Sequence, residues 1–288
     1  MSHVVVVGGA GGVGSSVADL LFERGRKVAV TVLNQAEADL VMSRYGGRIS
    51  AEIVDLSEGE SAREKMRSLA EAYPDIDAVI VCAAIAPCGP VETTELATYL
   101  KAYQINCIGA VAVYQAFMPA LRRNAGRLIV LGSMGGRVAL PLLSSYIATK
   151  FALEGLCDVM RREAAPQGVK VSLIQPGGIR TNLVYQQLLD VKRDYEALDD
   201  ANKETYGYLY RGFSNFASAS LSSTASSPDQ VASVVIEALD ADQPQSRYIA
   251  GDDARQLLAM AAAMSDKEMD DFLSKLFLES AGSSSAAE

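Results

Sequence analysis

Tyr146 and Lys150 stand four residues apart in a stretch, Ser144 to Ala165, whose pattern predicts a helix. That spacing puts both side chains on one helix face, one turn apart. A phenol ordinarily ionises near pH ~10. A close ammonium favours the phenolate and lowers that value. A phenol tuned toward neutrality can pass a proton to or from an alcohol or carbonyl oxygen. Ser133 comes thirteen residues earlier, directly after the apolar run Leu128 to Leu131. A serine there lies at the carboxyl end of a strand, where open α/β sheets place their ligands. Its hydroxyl could hydrogen-bond the same oxygen. Taken alone, the Tyr-x-x-x-Lys pair also fits an ordinary solvated helix face, so it needs a nucleotide site upstream.

The elements that would position these residues begin at the N-terminus. Val4 to Val7 is a short continuous apolar run, as in a strand buried on both faces of a parallel sheet. Gly8, Gly9, Ala10, Gly11, Gly12, Val13 and Gly14 follow, and Ser15 to Arg24 has helical periodicity. Strand, glycine turn and helix together make a phosphate-binding context: glycines admit a pyrophosphate, and the helix start offers free N–H groups. Lys27 to Leu33 reads as a second strand and Ala36 to Tyr45 as a helix. The end of such a strand meets the adenosine ribose, where a carboxylate favours NAD and a basic residue favours NADP. Val32, Leu33, Asn34 and Gln35 supply neither. Without a carboxylate to repel the 2′-phosphate, the balance leans to NADP(H) over NAD(H).

Ile49 to Val54 forms a third strand ending at Asp55 and Leu56, and Asp55 can accept from an adenine amino group. A helix over Ser61 to Tyr73 stops at Pro74, and Ala78 to Val81 makes a fourth strand. Glu95 to Arg123 reads as a long helix, straight or bent, with Asn106 in its middle. Asn is a poor helix-interior residue, so it is there either for a task or as a plain surface amide. Leu128 to Leu131 and Val169 to Ile174 are the fifth and sixth strands.

After Pro176, Gly177 and Gly178 the strand–helix rhythm stops. Residues 181–227 read as a helical lid with flexible edges. Tyr206, Tyr208, Tyr210, Phe213 and Phe216 fall within eleven residues of it, in a chain with 12 tyrosines, 7 phenylalanines and no tryptophan. Such rings either wall an apolar pocket or anchor the lid to the rest of the protein. A helix over Pro228 to Leu239, a short strand at Tyr248 and Ile249, and one or two helices over Ala254 to Phe277 complete residues 1–279 as one domain. The tail, 280–288, is small and polar, with nothing to bury.

At 288 residues the chain can bury a large core without staples. A net charge of −9 argues against a nucleic-acid partner. Four cysteines without a CxxC pair and a single histidine, His3, build no zinc site, so no metal is expected. The first strand starts at once, with no basic n-region before a run too short to span a bilayer. The expectation is a cytoplasmic protein without a membrane partner.

These pieces together resemble the classical short-chain dehydrogenase/reductase family, strongly over residues 3–183 and loosely over 228–251. Gly8, Gly12 and Gly14 sit on its G-x-x-x-G-x-G pattern, Asp55 on its adenine-contacting acid, and Asn106, Ser133, Tyr146 and Lys150 on its catalytic tetrad. Pro176, Gly177 and Thr181 match its nicotinamide turn. Two places depart: Val7 replaces the usual threonine, and Val81, Cys82, Ala83 and Ala84 replace Asn-Asn-Ala-Gly. They face each other in the family fold, so the losses can compensate.

The resemblance implies a single-domain, doubly wound Rossmann-type α/β fold with about seven parallel strands. It implies Tyr146 as general acid/base, Lys150 as the group that lowers its pKa and binds the ribose, Ser133 on the substrate oxygen, and Asn106 holding a water in the proton path. It also implies cofactor contacts from Gly8, Gly11, Gly12, Val13 and Gly14, then from Leu33, Asn34, Asp55 and Leu56. Further contacts would come from Ala83, Ala84, Tyr146 and Lys150, and from Pro176, Gly177, Ile179 and Thr181. The function implied is NAD(P)(H)-dependent interconversion of a secondary alcohol and a ketone, with the lid aromatics pointing to a bulky apolar or aromatic substrate. A cofactor-binding sensor without catalysis, or an epimerase on a nucleotide sugar, are the rival readings. The family also pairs two helices across a two-fold axis. Here that implies a homodimer or homotetramer through Ala112, Phe117, Ala152, Leu153, Leu156 and Met160.

Overall fold

Short runs of Val, Ile and Leu become parallel strands because both of their faces are covered by helices. The computed structural model describes residues 2–282, the last four by backbone alone. The strands are β1 (His3–Val7), β2 (Lys27–Val32), β3 (Ser50–Ile53), β4 (Ile76–Val81), β5 (Arg127–Leu131), β6 (Lys170–Pro176) and β7 (Arg247–Ala250). They form one seven-stranded sheet in the order β3-β2-β1-β4-β5-β6-β7, with every neighbouring pair parallel. The order reverses beside β1, where Val7 lies opposite Val81. This is the switch point at which such sheets bind ligands.

One face of the sheet carries α1 (Gly12–Glu23), α2 (Gln35–Tyr45) and α9 (Pro228–Asp240). The other carries α3 (Glu60–Ala72), α5 (Gly109–Arg123) and α6 (Ser144–Ala164). Val17 and Leu21 of α1 pack on one side, and Phe117, Leu121 and Leu153 fill the other. Four more helices stand over the carboxyl edge: α7 (Asn182–Ala197), α8 (Asp200–Ser223), α10 (Asp252–Ala263) and α11 (Asp266–Gly282). They enclose a third apolar cluster with Leu140, Leu143 and Ile147.

Four expectations are refined. The helix over 95–123 is interrupted: α4 (Leu96–Tyr103) passes into a π-turn, Gln104–Ile108, before α5. That turn contains Asn106, and π-turns mark positions with a task. The lid is two helices whose ends are pinned together, since Ile179 bridges Ser226. Ala112, Phe117, Leu153 and Met160 are buried in the chain's own core, so these four cannot pair with another copy. The last helix runs through Gly282, and the rest of the expected tail lies outside the described residues. Leu96 to Arg123 is also long and apolar enough to cross a membrane, but its apolar face is mostly buried in the protein.

Candidate active site

The glycine turn is built by close approach. Gly8 has φ +81°, a region L side chains avoid, and a Cβ there would lie 2.8 Å from the Ala83 nitrogen. A Cβ on Gly12 would stand 2.7 Å from Thr181 Cγ2, and one on Gly14 would strike the Gly8 carbonyl at 2.1 Å. No side chain caps the start of α1 and no acid sits in its first turn, so its N–H groups and dipole are open to an anion. Val7 and the apolar turn after β4 are joined through the backbone instead of a threonine: the Val7 carbonyl accepts from Cys82 N at 2.9 Å and Ala83 N at 3.1 Å. A groove of about 280 Å³ runs from this turn past Thr31, Leu33, Asp55 and Leu56.

Ser133 follows β5, and its Oγ accepts from Gly135 N at 3.0 Å. A Cβ on Gly135 would lie 3.3 Å from Ser133 Oγ and 3.8 Å from Tyr146 Cε1, so serine and phenol flank the same glycine. Lys150 is 3% exposed. Its Nζ donates to the Leu131 carbonyl at 3.0 Å and lies 5.5 Å from the centre of the Tyr146 ring. The three side chains line one cavity of about 480 Å³, which also takes in Pro176, Gly177, Ile179 and Thr181. Asn106 is buried nearby. Its Oδ1 accepts from Ile85 N at 2.9 Å, and its Nδ2 donates to the Ile85 carbonyl at 2.9 Å and to Thr149 Oγ1 at 3.0 Å. Both N–H groups are thus committed to protein. The side chain clamps the turn after β4 to α6.

A family model described as short chain dehydrogenase matches residues 2–191. The chain belongs to the short-chain dehydrogenase family. Among similar proteins, estradiol 17-beta-dehydrogenase 2 of Mus musculus is 31% identical over 95% of this chain and 74% of its own. The mitochondrial D-beta-hydroxybutyrate dehydrogenase of Rattus norvegicus is 30% identical over 85% of this chain and 75% of its own. The crystal structure of a short-chain dehydrogenase from Burkholderia cenocepacia J2315 in complex with NADP superposes with TM-score 0.71. It covers 96% of this chain and 97% of that one at 22% identity, a likeness of fold.

In this dehydrogenase the electrostatics differ from the sequence expectation. Burial pushes the Tyr146 phenol above its ordinary value, and the Ser133 hydroxyl pulls only part of the way back. Burial also lowers Lys150 to about 8, against the opposing pull of Cys107, Cys157 and Cys82. Burial disfavours the charged form of each group and is the larger cause at both.

Two sets of predicted contacts are corrected. Asn34 does not line the groove: it caps α2 by accepting from Glu37 N at 3.0 Å. Glu37 lines the groove in its place, with Oε2 accepting from Leu33 N at 2.8 Å. A carboxylate therefore does stand at the β2 end, five residues beyond Val32, which is itself buried. Of the lid aromatics, only Phe213 and Phe216 line the cavity. Tyr206 bonds Glu92, Tyr208 is 40% exposed, and Tyr210 packs on Tyr195. The opposite wall comes from helices without a sequence signal for it: Leu257 and Met260 of α10, and Phe272, Leu273 and Leu276 of α11. Their only hint was apolar spacing at the end of the chain.

Proposed function

We propose that this dehydrogenase interconverts a secondary alcohol and its ketone with a nicotinamide dinucleotide, on a neutral, bulky and largely apolar substrate. The observation that carries this is the cavity wall. Among the described residues its only charged side chains are Lys150 and Asp253, and the rest is mostly aliphatic and aromatic. A volume of about 480 Å³ suits a molecule of several rings or a branched chain. Among the described residues of the wall, a carboxylated substrate would find no cation except Lys150, the same group that serves the phenol and the ribose. The name of the estradiol relative agrees with this reading better than that of the hydroxybutyrate relative, whose substrate is a short acid.

The roles follow from chemistry at named atoms. Tyr146 Oη gives a proton to the carbonyl oxygen in reduction and takes it back in oxidation. Ser133 Oγ hydrogen-bonds the same oxygen and orients it. Lys150 Nζ supplies a positive charge close to the phenol and a donor for ribose hydroxyls. The nicotinamide, when bound, exchanges a hydride with the substrate carbon. The glycine turn, with space no Cβ could share and uncapped N–H groups, fits the pyrophosphate.

The cofactor preference is read afresh from Glu37. The lean to NADP(H) rested on a missing carboxylate, and Glu37 supplies one, fixed by Leu33 N in the adenosine end of the groove. A carboxylate there accepts from ribose hydroxyls and repels a 2′-phosphate. The reading is therefore NAD(H).

The test is a panel of neutral ring ketones, short polar ketones and keto acids, followed by nicotinamide absorbance. Neutral bulky substrates should show the highest kcat/KM. Phe216→Ala should cost them roughly 10-fold, the scale of one lost apolar contact group. Preference for a keto acid would refute the reading.

A further inference from the structure

The groove and the cavity share a neck: Cys82, Ala84, Leu131, Ile179, Thr181 and Leu183 line both. A dinucleotide laid along the groove from the glycine turn reaches Tyr146 only through that neck. The turn at 177–181 would then hold its nicotinamide ring. Asp253, the second residue of α10, fills this turn from the cavity side. Its Oδ2 accepts from Gly178 N at 2.7 Å and its Oδ1 from Ala254 N at 2.8 Å. A Cβ on Gly177 would lie 2.2 Å from Oδ1 and 2.3 Å from Oδ2, so the carboxylate occupies the place of a side chain there. Its neighbour Asp252 pairs with Arg255, but no cation pairs with Asp253 among the described residues. An unneutralised carboxylate is thereby fixed beside the ring site, in a mostly apolar cavity where charges interact strongly.

We propose that Asp253 is an electrostatic selector of the cofactor's redox state. It holds the cationic, oxidised nicotinamide more tightly than the neutral, reduced one. This rests on the reading that the protein binds a nicotinamide dinucleotide. In carbonyl reduction a hydride passes from the dihydropyridine ring to the carbonyl carbon. Tyr146 gives its proton to the oxygen, the C=O π bond becomes C–H and O–H, and the ring gains a positive charge. Tighter holding of that cation draws the on-enzyme equilibrium toward the alcohol, while the overall equilibrium in solution stays unchanged. Asp253 thus biases the bound state toward ketone reduction without touching the reacting atoms.

The experiment is calorimetric titration of the full chain, unmodified and as Asp253→Asn, with oxidised and reduced cofactor. The unmodified protein should bind the oxidised form at least as tightly as the reduced form. Asn can still accept from Gly178 N, so the charge is lost together with only the local bond from Ala254 N. Asp253→Asn should then weaken the oxidised form by roughly 3- to 10-fold, the scale of one charge in a partly dry site, with the reduced form nearly unaffected. Equal losses for both forms would mean that Asp253 only braces the turn, and would overturn the proposal. So would an unmodified protein that binds the reduced form more than ten times tighter, a result that needs no variant. Binding of neither form by the unmodified protein would instead sink the cofactor reading, and the selector with it.

Discussion

Asn106 closes a ring on Ile85, accepting from its N–H and donating to its carbonyl, each at 2.9 Å. The π-turn at Gln104–Ile108 aims the amide inward, and a third bond reaches Thr149 on α6, one residue before Lys150. The clamp therefore ties the turn that walls the cofactor groove to the helix that carries Tyr146. Asn106→Ala would take both partners from the part-buried Ile85 peptide and one from Thr149, so unfolding by urea should show a loss of about 1–3 kcal/mol. An unchanged midpoint would argue that the amide is not a clamp.

Lys150 gives the protein a distinctive pH dependence. Its folded value of about 8 lies below the unfolded value near 10.5. Between those values the unfolded lysine keeps its proton and the folded one has released it, so stability rises with pH across that window. Below pH 8 both forms are charged, and this contribution is flat. Buried thiols oppose it at alkaline pH, since Cys82 and Cys157 are pushed up to about 12. The clean quantity is the stability of the unmodified protein minus that of Lys150→Met. It should rise by about 2 kcal/mol from pH 8 to 10. A flat difference would contradict the burial of an ionisable lysine.

The sheet was legible because buried parallel strands write themselves as unbroken apolar runs, such as Val4 to Val7 and Leu128 to Leu131. Ser133, Tyr146 and Lys150 were legible because a four-residue helical spacing fixes a shared face. Glu37 was not, since its carboxylate reaches back along the first turn of α2 to Leu33, and no linear spacing announces that. The cavity wall was not legible either. Tyr206, Tyr208 and Phe213 look alike in sequence, and only the angle at which α8 docks on α11 decides which ring faces inward. Phe216 and Phe277, stacked 5.9 Å apart, fix that docking.

Glu37 carries the second cofactor expectation. Binding of NAD(H) should be tighter than that of NADP(H) in the unmodified protein, and Glu37→Gln should narrow the gap by roughly 10-fold, the scale of one charge contact. Fluorescence titration of both reduced cofactors measures this directly. Tighter NADP(H) binding in the unmodified protein would remove Glu37 from the account.

Gly155 bears on assembly. It sits in the interior of α6 with open space where a Cβ would be, between exposed Phe151 and Val159 on the same face. No described residue within 4 Å requires a glycine there, and in a free helix Ala would be better by about 0.5–1 kcal/mol. We propose that another copy of the chain packs on this face. Val159→Asp should then convert the assembly to monomer in light scattering, and Gly155→Ala should weaken it. A monomeric unmodified protein that Gly155→Ala simply stabilises would exclude the idea.

The central claim is that the Tyr146 hydroxyl moves the proton. Tyr146→Phe removes that single oxygen and leaves the ring beside Lys150. Turnover on the best ketone should fall by ~100-fold or more, while the dissociation constant for the reduced cofactor stays within about 2-fold and the unfolding temperature is unchanged. A Tyr146→Phe protein that kept near-normal turnover with the same cofactor affinity would contradict the account.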